Sequence, residues 1–251
     1  MSRWPLERFL ARARAARAPA RTVLLQAAQV WSYAADAFSP IAFADFESWC
    51  AAHSGLSVRI VLSSALTHQL VADPALPLED TEAVLAWARH QFVHYHGAAA
   101  QHWALAPWCD GPQRGAIALH ALELDTLLQQ AKRHRVDIQA IEPWWSVALR
   151  VATRRAPVLA SFEPAELWLV EGVQLTRVLC ADRRVQGIEQ RWLDAADETA
   201  LARLIAQLCD AEHPPWVLGC GLASDAGRPL VTARVLGALE ERCPAPEWVV
   251  A

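Results

Sequence analysis

Four histidines give the chain its densest run of reactive side chains: His90, His94, His96 and His102. His90 and His94 are four residues apart, the helical spacing at which two imidazoles can share a metal ion, and His96 or His102 would supply a third ligand. The zinc-protease pattern also needs a glutamate directly after the first histidine. Here the run is His90-Gln91-Phe92-Val93-His94, so that general base is missing. Solvated or internally satisfied histidines are the simpler reading, with a metal-dependent hydrolase using this group as an alternative. Ser63-Ser64 lacks the Gly-x-Ser-x-Gly elbow that presents a nucleophile. Gly219-x-Gly221-x-x-Ser224 lacks the third glycine of a dinucleotide fingerprint. Asp45 with Glu47, and Asp194 with Asp197 and Glu198, read as solvated faces and helix caps.

Tryptophan offers a different chemistry. There are 12 in the chain, and this residue anchors interfaces where a large flat ring is desolvated against a partner. Trp144 and Trp145 are adjacent after Glu142-Pro143. Neighbouring helical positions diverge, so both rings cannot face one core, and one of the pair is a candidate for lining a peptide groove. The 251 residues are 54% apolar and 20% charged, which excludes disorder. A chain of this length can bury roughly 70–75% of its unfolded surface and needs no metal to fold. The net charge of −4 gives no global attraction to nucleic acid or anionic lipid.

Positive charge is concentrated at the start, where Arg3, Arg8, Arg12, Arg14, Arg17 and Arg21 face a single acid, Glu7. Residues 1–20 read as an Arg-rich amphipathic helix or arm. Arg8 and Arg12 are its candidates for contact with a partner or a lipid surface. No apolar core follows this basic stretch, as a secretory signal requires, and no run approaches the ~20 apolar residues that span a bilayer. The six cysteines are scattered without a CxxC pair and read as reduced, buried thiols of a cytosolic chain.

These residues need elements to position them. Residues 22–31 predict a strand and 43–52 a helix. Residues 57–72 predict two strands interrupted at Ser63-Ser64, and Asp73 to Pro77 a loop. Asp80 or Thr81 caps a helix running to His96. Strands over 101–108 and 115–122, a helix over 123–135, a strand over 136–141 and a helix from Pro143 to Thr153 follow. The charged, proline-ended stretch 153–157 marks the boundary between a first half (21–156) and a second (157–251). The second half predicts strands over 158–162, 166–170 and 173–181, a helix from Asp197 or Thr199 to Asp210, a strand over 216–219 and a last helix over 229–242. The order defines an α/β protein of two subdomains, with mixed sheets flanked by helices and a β-α-β-β-α-β block inserted in the first.

From Val58 to Arg150 this order resembles the cytoplasmic part of GspL and PilM proteins, assembly-platform components of type II secretion and type IV pilus machines. The resemblance is carried by SVRIVLSSALTHQLVADPALPLEDTEAVLAWARHQFVHYHG, by the paired strands QHWALAPW and GAIALHAL, and by the strand–Glu-Pro–helix end IQAIEPWWSVALR. It implies an actin-like ATPase (ribonuclease H-like) fold and covers residues 20–251. Actin-like ATPases carry an Asp-x-Gly phosphate loop at the first hairpin of each half. Residues 22–36 contain no glycine, and SFEPAELWLVEG has no Asp-x-Gly. Without these the backbone cannot approach a phosphate and no acid anchors Mg²⁺. Val217 to Ala223 is the one stretch similar to the family's adenosine loop, and Asp225-Ala226-Gly227 comes too late in the order.

The resemblance therefore implies a non-enzymatic scaffold without a cofactor, at the cytoplasmic face of the inner membrane. Its partners would be the PilN- or GspM-like tail of a bitopic membrane protein and the assembly ATPase, with a homodimer also compatible and nucleic acid excluded. No transmembrane helix follows the second half, so membrane association would come through those partners. An actin-like nucleotide-binding protein is the other alternative.

Overall fold

A computed structural model describes residues 21–34, 39–209, 212–224 and 232–250. The first 20 residues, with Arg8 and Arg12, and the Asp225-Ala226-Gly227 motif lie outside them. Two compact units divide the described chain, one running to Trp144 and the other from Trp145 to Val249.

The first unit is built on a five-stranded sheet in the order β3-β2-β1-β4-β8. It contains β1 (Arg21–Leu25), β2 (Val30–Tyr33), β3 (Ile41–Phe43), β4 (Ser57–Leu62) and β8 (Asp137–Pro143). The single strand expected over 22–31 is a hairpin instead. Gln26 N–H donates to the Gln29 carbonyl at 2.9 Å, closing a turn that contains no glycine or proline to betray it. Strands β1 to β3 run antiparallel, while β1, β4 and β8 run parallel. Helices α1 (Phe46–Ala52) and α3 (Leu124–Arg133) cover one face, burying Phe46, Trp49 and Leu127 against Val23, Ile60 and Ile138. Asp45 caps α1 by accepting from Ser48 N–H at 2.7 Å. Those bonds favour its ionised form and lower its pKa.

A second, three-stranded sheet is inserted between β4 and β8. Its order is β5-β7-β6, from β5 (Thr67–Val71), β6 (Ala104–Asp110) and β7 (Gln113–Leu119). Helix α2 (Thr81–His96) packs on it through Val84, Ala88 and Phe92. Asp80 is its cap, accepting from Ala83 N–H at 2.8 Å. The interruption at Ser63-Ser64 is a single 3₁₀ turn in which Ser63 Oγ accepts from Ala65 N–H at 3.1 Å.

The second unit holds α4 (Trp144–Arg155) beyond its first residue, and the sheet β11-β10-β9-β12-β13. Its strands are β9 (Ala165–Glu171), β10 (Gln174–Ala181), β11 (Arg184–Trp192), β12 (Trp216–Cys220) and β13 (Arg234–Val235). Helix α5 (Glu198–Leu208), capped by Asp197, packs Leu201 and Ile205 onto Trp168, Val170 and Val217.

Two expectations fail here, and one strand stands outside the expected elements. Residues 157–160 form a 3₁₀ turn in place of a strand, started by Pro157. Strand β11 has no counterpart among the expected elements, because RVQGIEQRW mixes polar and apolar residues on both of its sides. No helix covers the described part of 229–242; Arg234–Val235 instead pairs with Trp216–Val217, so sheet pairing overrides a helix-favouring composition. Among the described residues no helix is long and apolar enough to cross a membrane.

Candidate functional site

The two sheets present corresponding ends, where the first hairpin of each meets the exit of its fourth strand. In the first unit the hairpin turn Gln26–Gln29 is locked by its own side chains. Trp31 Nε1 donates to Gln26 Oε1 at 2.9 Å, and Gln29 Nε2 reaches the same oxygen at 3.3 Å. Beside it, Ser63 N–H donates to the Leu25 carbonyl at 2.9 Å.

In the second unit the turn is Glu171-Gly172-Val173, with Gly172 at φ +59°. Its N–H donates to the Cys220 carbonyl at 3.0 Å. The loop leaving β12 is bonded in the same way. Gly221 N–H donates to Glu241 at 2.6 Å, Leu222 N–H to Leu239 at 3.0 Å and Ala223 N–H to Ala196 at 2.8 Å. A phosphate cradle needs converging backbone N–H groups that are free to donate. These amides already serve the chain's own carbonyls. Gly219 also has a packing role, since a Cβ there would lie 2.2 Å from the Val170 carbonyl oxygen. The glycines of the adenosine-like stretch thus allow strand β12 and its exit loop to press against β9.

The tryptophan pair is placed inside the protein. Trp144 is fully buried and Trp145 is 6% exposed. The indole N–H of Trp144 is buried without a hydrogen-bond partner. Trp31 and Trp108 are buried as well.

The four histidines do not come together. His90, His94, His96 and His102 are all exposed. Among the described residues no three His, Cys, Asp or Glu side chains are grouped to hold a metal ion. The structure makes a different cluster around one of them. His68 stacks between His96 and His120, with ring centroids 4.3 and 4.0 Å away, and Trp103 lies 5.1–5.6 Å from all three. Burial, with the neighbouring His96 charge, holds the His120 pKa below its ordinary value. No spacing in the sequence marks this cluster. His68 and His120 meet only because Thr67 pairs with Leu119 across β5 and β7.

On the second sheet Glu166, Arg177 and Glu189 form a charged row across three strands, with Arg177 Nε donating to Glu166 at 2.8 Å. Burial pushes the Glu166 pKa up, but the hydrogen bonds from Arg177 and Trp168 outweigh it and hold the carboxyl below its ordinary range. Burial and the Glu166 charge push the Cys209 thiol up to about 12, and burial with Glu47 does the same to Cys50. None of the six cysteines forms a disulfide, and thiols so shifted are poor nucleophiles.

No protein-family model matches the chain, and no curated protein matches its sequence. Solved structures do match. The cytoplasmic domain of EpsL, an inner membrane component of the type II secretion system of Vibrio cholerae, superposes with a TM-score of 0.56 at 12% identity, over 92% of this chain and 92% of that one. A PilM–PilN type IV pilus biogenesis complex gives 0.56 at 10% identity, over 81% of this chain and 82% of that one. A Bacteroides thetaiotaomicron protein of unknown function with an actin-like ATPase fold gives 0.54 at 10% identity, over 82% and 83%. The chain has the actin-like ATPase fold, in the form similar to EpsL and PilM.

Proposed function

We propose that this chain is a non-enzymatic scaffold of a type II secretion or type IV pilus-like assembly platform, held at the cytoplasmic face of the inner membrane. It docks the cytoplasmic tail of a PilN- or GspM-like bitopic protein on one surface and the assembly ATPase on another. The observation that carries the reading is the bonding of the hairpin and β12-exit amides to the chain's own carbonyls. Actin-like ATPases carry their phosphate loops at these turns, whereas here the bonded amides serve the chain's own carbonyls, which supports a role for its surfaces. The solved EpsL domain belongs to a secretion system and the solved PilM is in complex with PilN, which supports a membrane protein as the partner. Trp144 and Trp145, the tryptophans expected at a partner groove, are buried at the start of α4, so on this reading their part in docking is to support the backbone there. Arg8 and Arg12 add positive charge for the partner or for anionic headgroups.

Two measurements test this. Millimolar ATP with Mg²⁺ is expected to leave the melting temperature unchanged, because a ligand of the native state would raise it by linkage. A clear rise would favour an actin-like nucleotide-binding protein instead. A synthetic peptide copying the cytosolic tail of the PilN- or GspM-like protein from the same organism is expected to bind saturably in fluorescence anisotropy. A scrambled tail should not. Equal binding of both would remove the docking role.

A further inference from the structure

We propose that His68, His96 and His120 form an acid-sensitive clasp, which fastens the C-terminal end of α2 to the three-stranded sheet and opens when a second of the three rings takes up a proton. The inference stands apart from the scaffold reading and needs no partner. The three rings come from three elements. His68 lies on β5, His96 is the last residue of α2 and His120 follows β7 directly. His68 is stacked between the other two at 4.3 and 4.0 Å, each pair within 21° of parallel.

The stack crosses a seam. On one side α2 and the 3₁₀ turn Ala98–His102 are tied together. Arg89 of α2 donates to the Ala100 carbonyl at 2.9 Å and to the Trp103 carbonyl at 2.7 Å. His96 and Trp103 belong to this side. On the other side His68 and His120 are fixed by the sheet. Thr67 pairs with Leu119, and His120 N–H donates to the Leu66 carbonyl at 3.1 Å. The ring contacts of His96 with His68, and of Trp103 with His68 and His120, join the two sides.

The charges nearby decide how the stack answers acid. Between Glu82 and Glu123 the sequence has one acid, Asp110, at the far end of β6. Residues 57–72 have none. Glu123, the first acid beyond His120, is exposed and accepts from Thr126. The other groups at this end that can be charged below neutral pH are cationic: Arg89 and the exposed His90, His94 and His102. One proton on the stack is tolerated, because an imidazolium over a neutral aromatic ring is attractive. A second sets like charges against each other on neighbouring elements, and water screens them poorly because His68 and His120 are half-buried. His120 already shows this resistance, since burial and the His96 charge both hold its pKa down. More protons bind with the clasp open than with it closed, so acid drives opening.

Hydrogen exchange of the full chain, corrected for the intrinsic pH dependence of the exchange rate, tests this. The range runs from neutral pH to about pH 5.5, a unit below the ordinary histidine value of 6.5. In the wild type the opening constant of residues 93–103 should rise by about tenfold per pH unit, the linkage slope for one proton taken up on opening. The second unit should keep its protection over the same range. The double variant His68→Phe/His120→Phe keeps three flat rings but only one proton site, so its residues 93–103 should be insensitive to acid. His96→Gln changes an exposed position and leaves the core filled. It should show a clearly smaller acid response than wild type, and it carries the test even where the double variant does not fold. Equal protection of wild-type residues 93–103 at both ends of the range would overturn the proposal. So would an undiminished acid response in His96→Gln, or in a folded double variant.

Discussion

The two five-stranded sheets share one plan and differ in its details. Each runs third-second-first-fourth-fifth, with the first three strands antiparallel and the first, fourth and fifth parallel. The first sheet ends in a three-residue strand and the second in a nine-residue one. Between its fourth and fifth strands the first carries a whole inserted sheet and helix, whereas in the second only residues 221–233 separate those strands in sequence. Next to last in the first strand, Leu24 faces Val61 of β4, while Val170 faces Gly219 of β12. The same topology thus tolerates a filled contact in one unit and demands an empty one in the other. The strand order is the shared property, and side-chain volume is adjusted unit by unit.

The largest expected effect follows from that position. Gly219→Ala would place a methyl group 2.2 Å from a backbone oxygen and should cost about 3 kcal/mol or more. The matching Val61→Ala leaves a cavity and should cost less, about 1–3 kcal/mol. Urea unfolding of both variants decides it, and a tolerated Gly219→Ala would mean that the strands are not so tightly pressed. Next come the helix anchors. Leu127→Ala on α3 and Leu201→Ala on α5 both empty fully buried sites and should each cost about 2–5 kcal/mol. Hydrogen exchange would show whether each loss stays within its own unit.

Smaller effects are expected at the caps. Asp80→Ala and Asp197→Ala each remove an acceptor for a helix N–H group and should cost about 1 kcal/mol.

The finest distinction between the units is their pH response. His120 binds its proton less readily when folded, so as pH falls below 6.5 the unfolded chain protonates first and stability is lost. Glu166 is held below its ordinary value of 4.5, so its stabilisation persists through mild acid and is lost only as pH falls below that value. Between these two values the inserted block of the first unit should loosen while the second unit keeps its protection, with His120→Gln removing the first response. Hydrogen exchange at neutral and mildly acidic pH reads both, and equal loss in the two units would count against the assignment.

Local chemistry made a large part of the fold legible. The break at Ser63-Ser64, the caps at Asp80 and Asp197 and the strand–Glu-Pro–helix at residues 137–155 all depend on neighbours a few residues away, and the sequence states them directly. The order of those pieces was enough to point to an actin-like chain. The Gln26–Gln29 hairpin was hidden because its turn is closed by glutamine side chains instead of glycine or proline.

Long-range pairing was decided by tertiary structure alone. The register of β5 on β7 brings His68 to His120 across the sheet. The pull of β12 turns residues 234–235 into a strand. The carbonyls of Cys220, Leu239, Glu241 and Ala196 become partners for loop amides distant in sequence. Sequence periodicity records which side of an element is apolar; it does not record which other element will come to lie against it, and the chemistry of the site is set by that second fact.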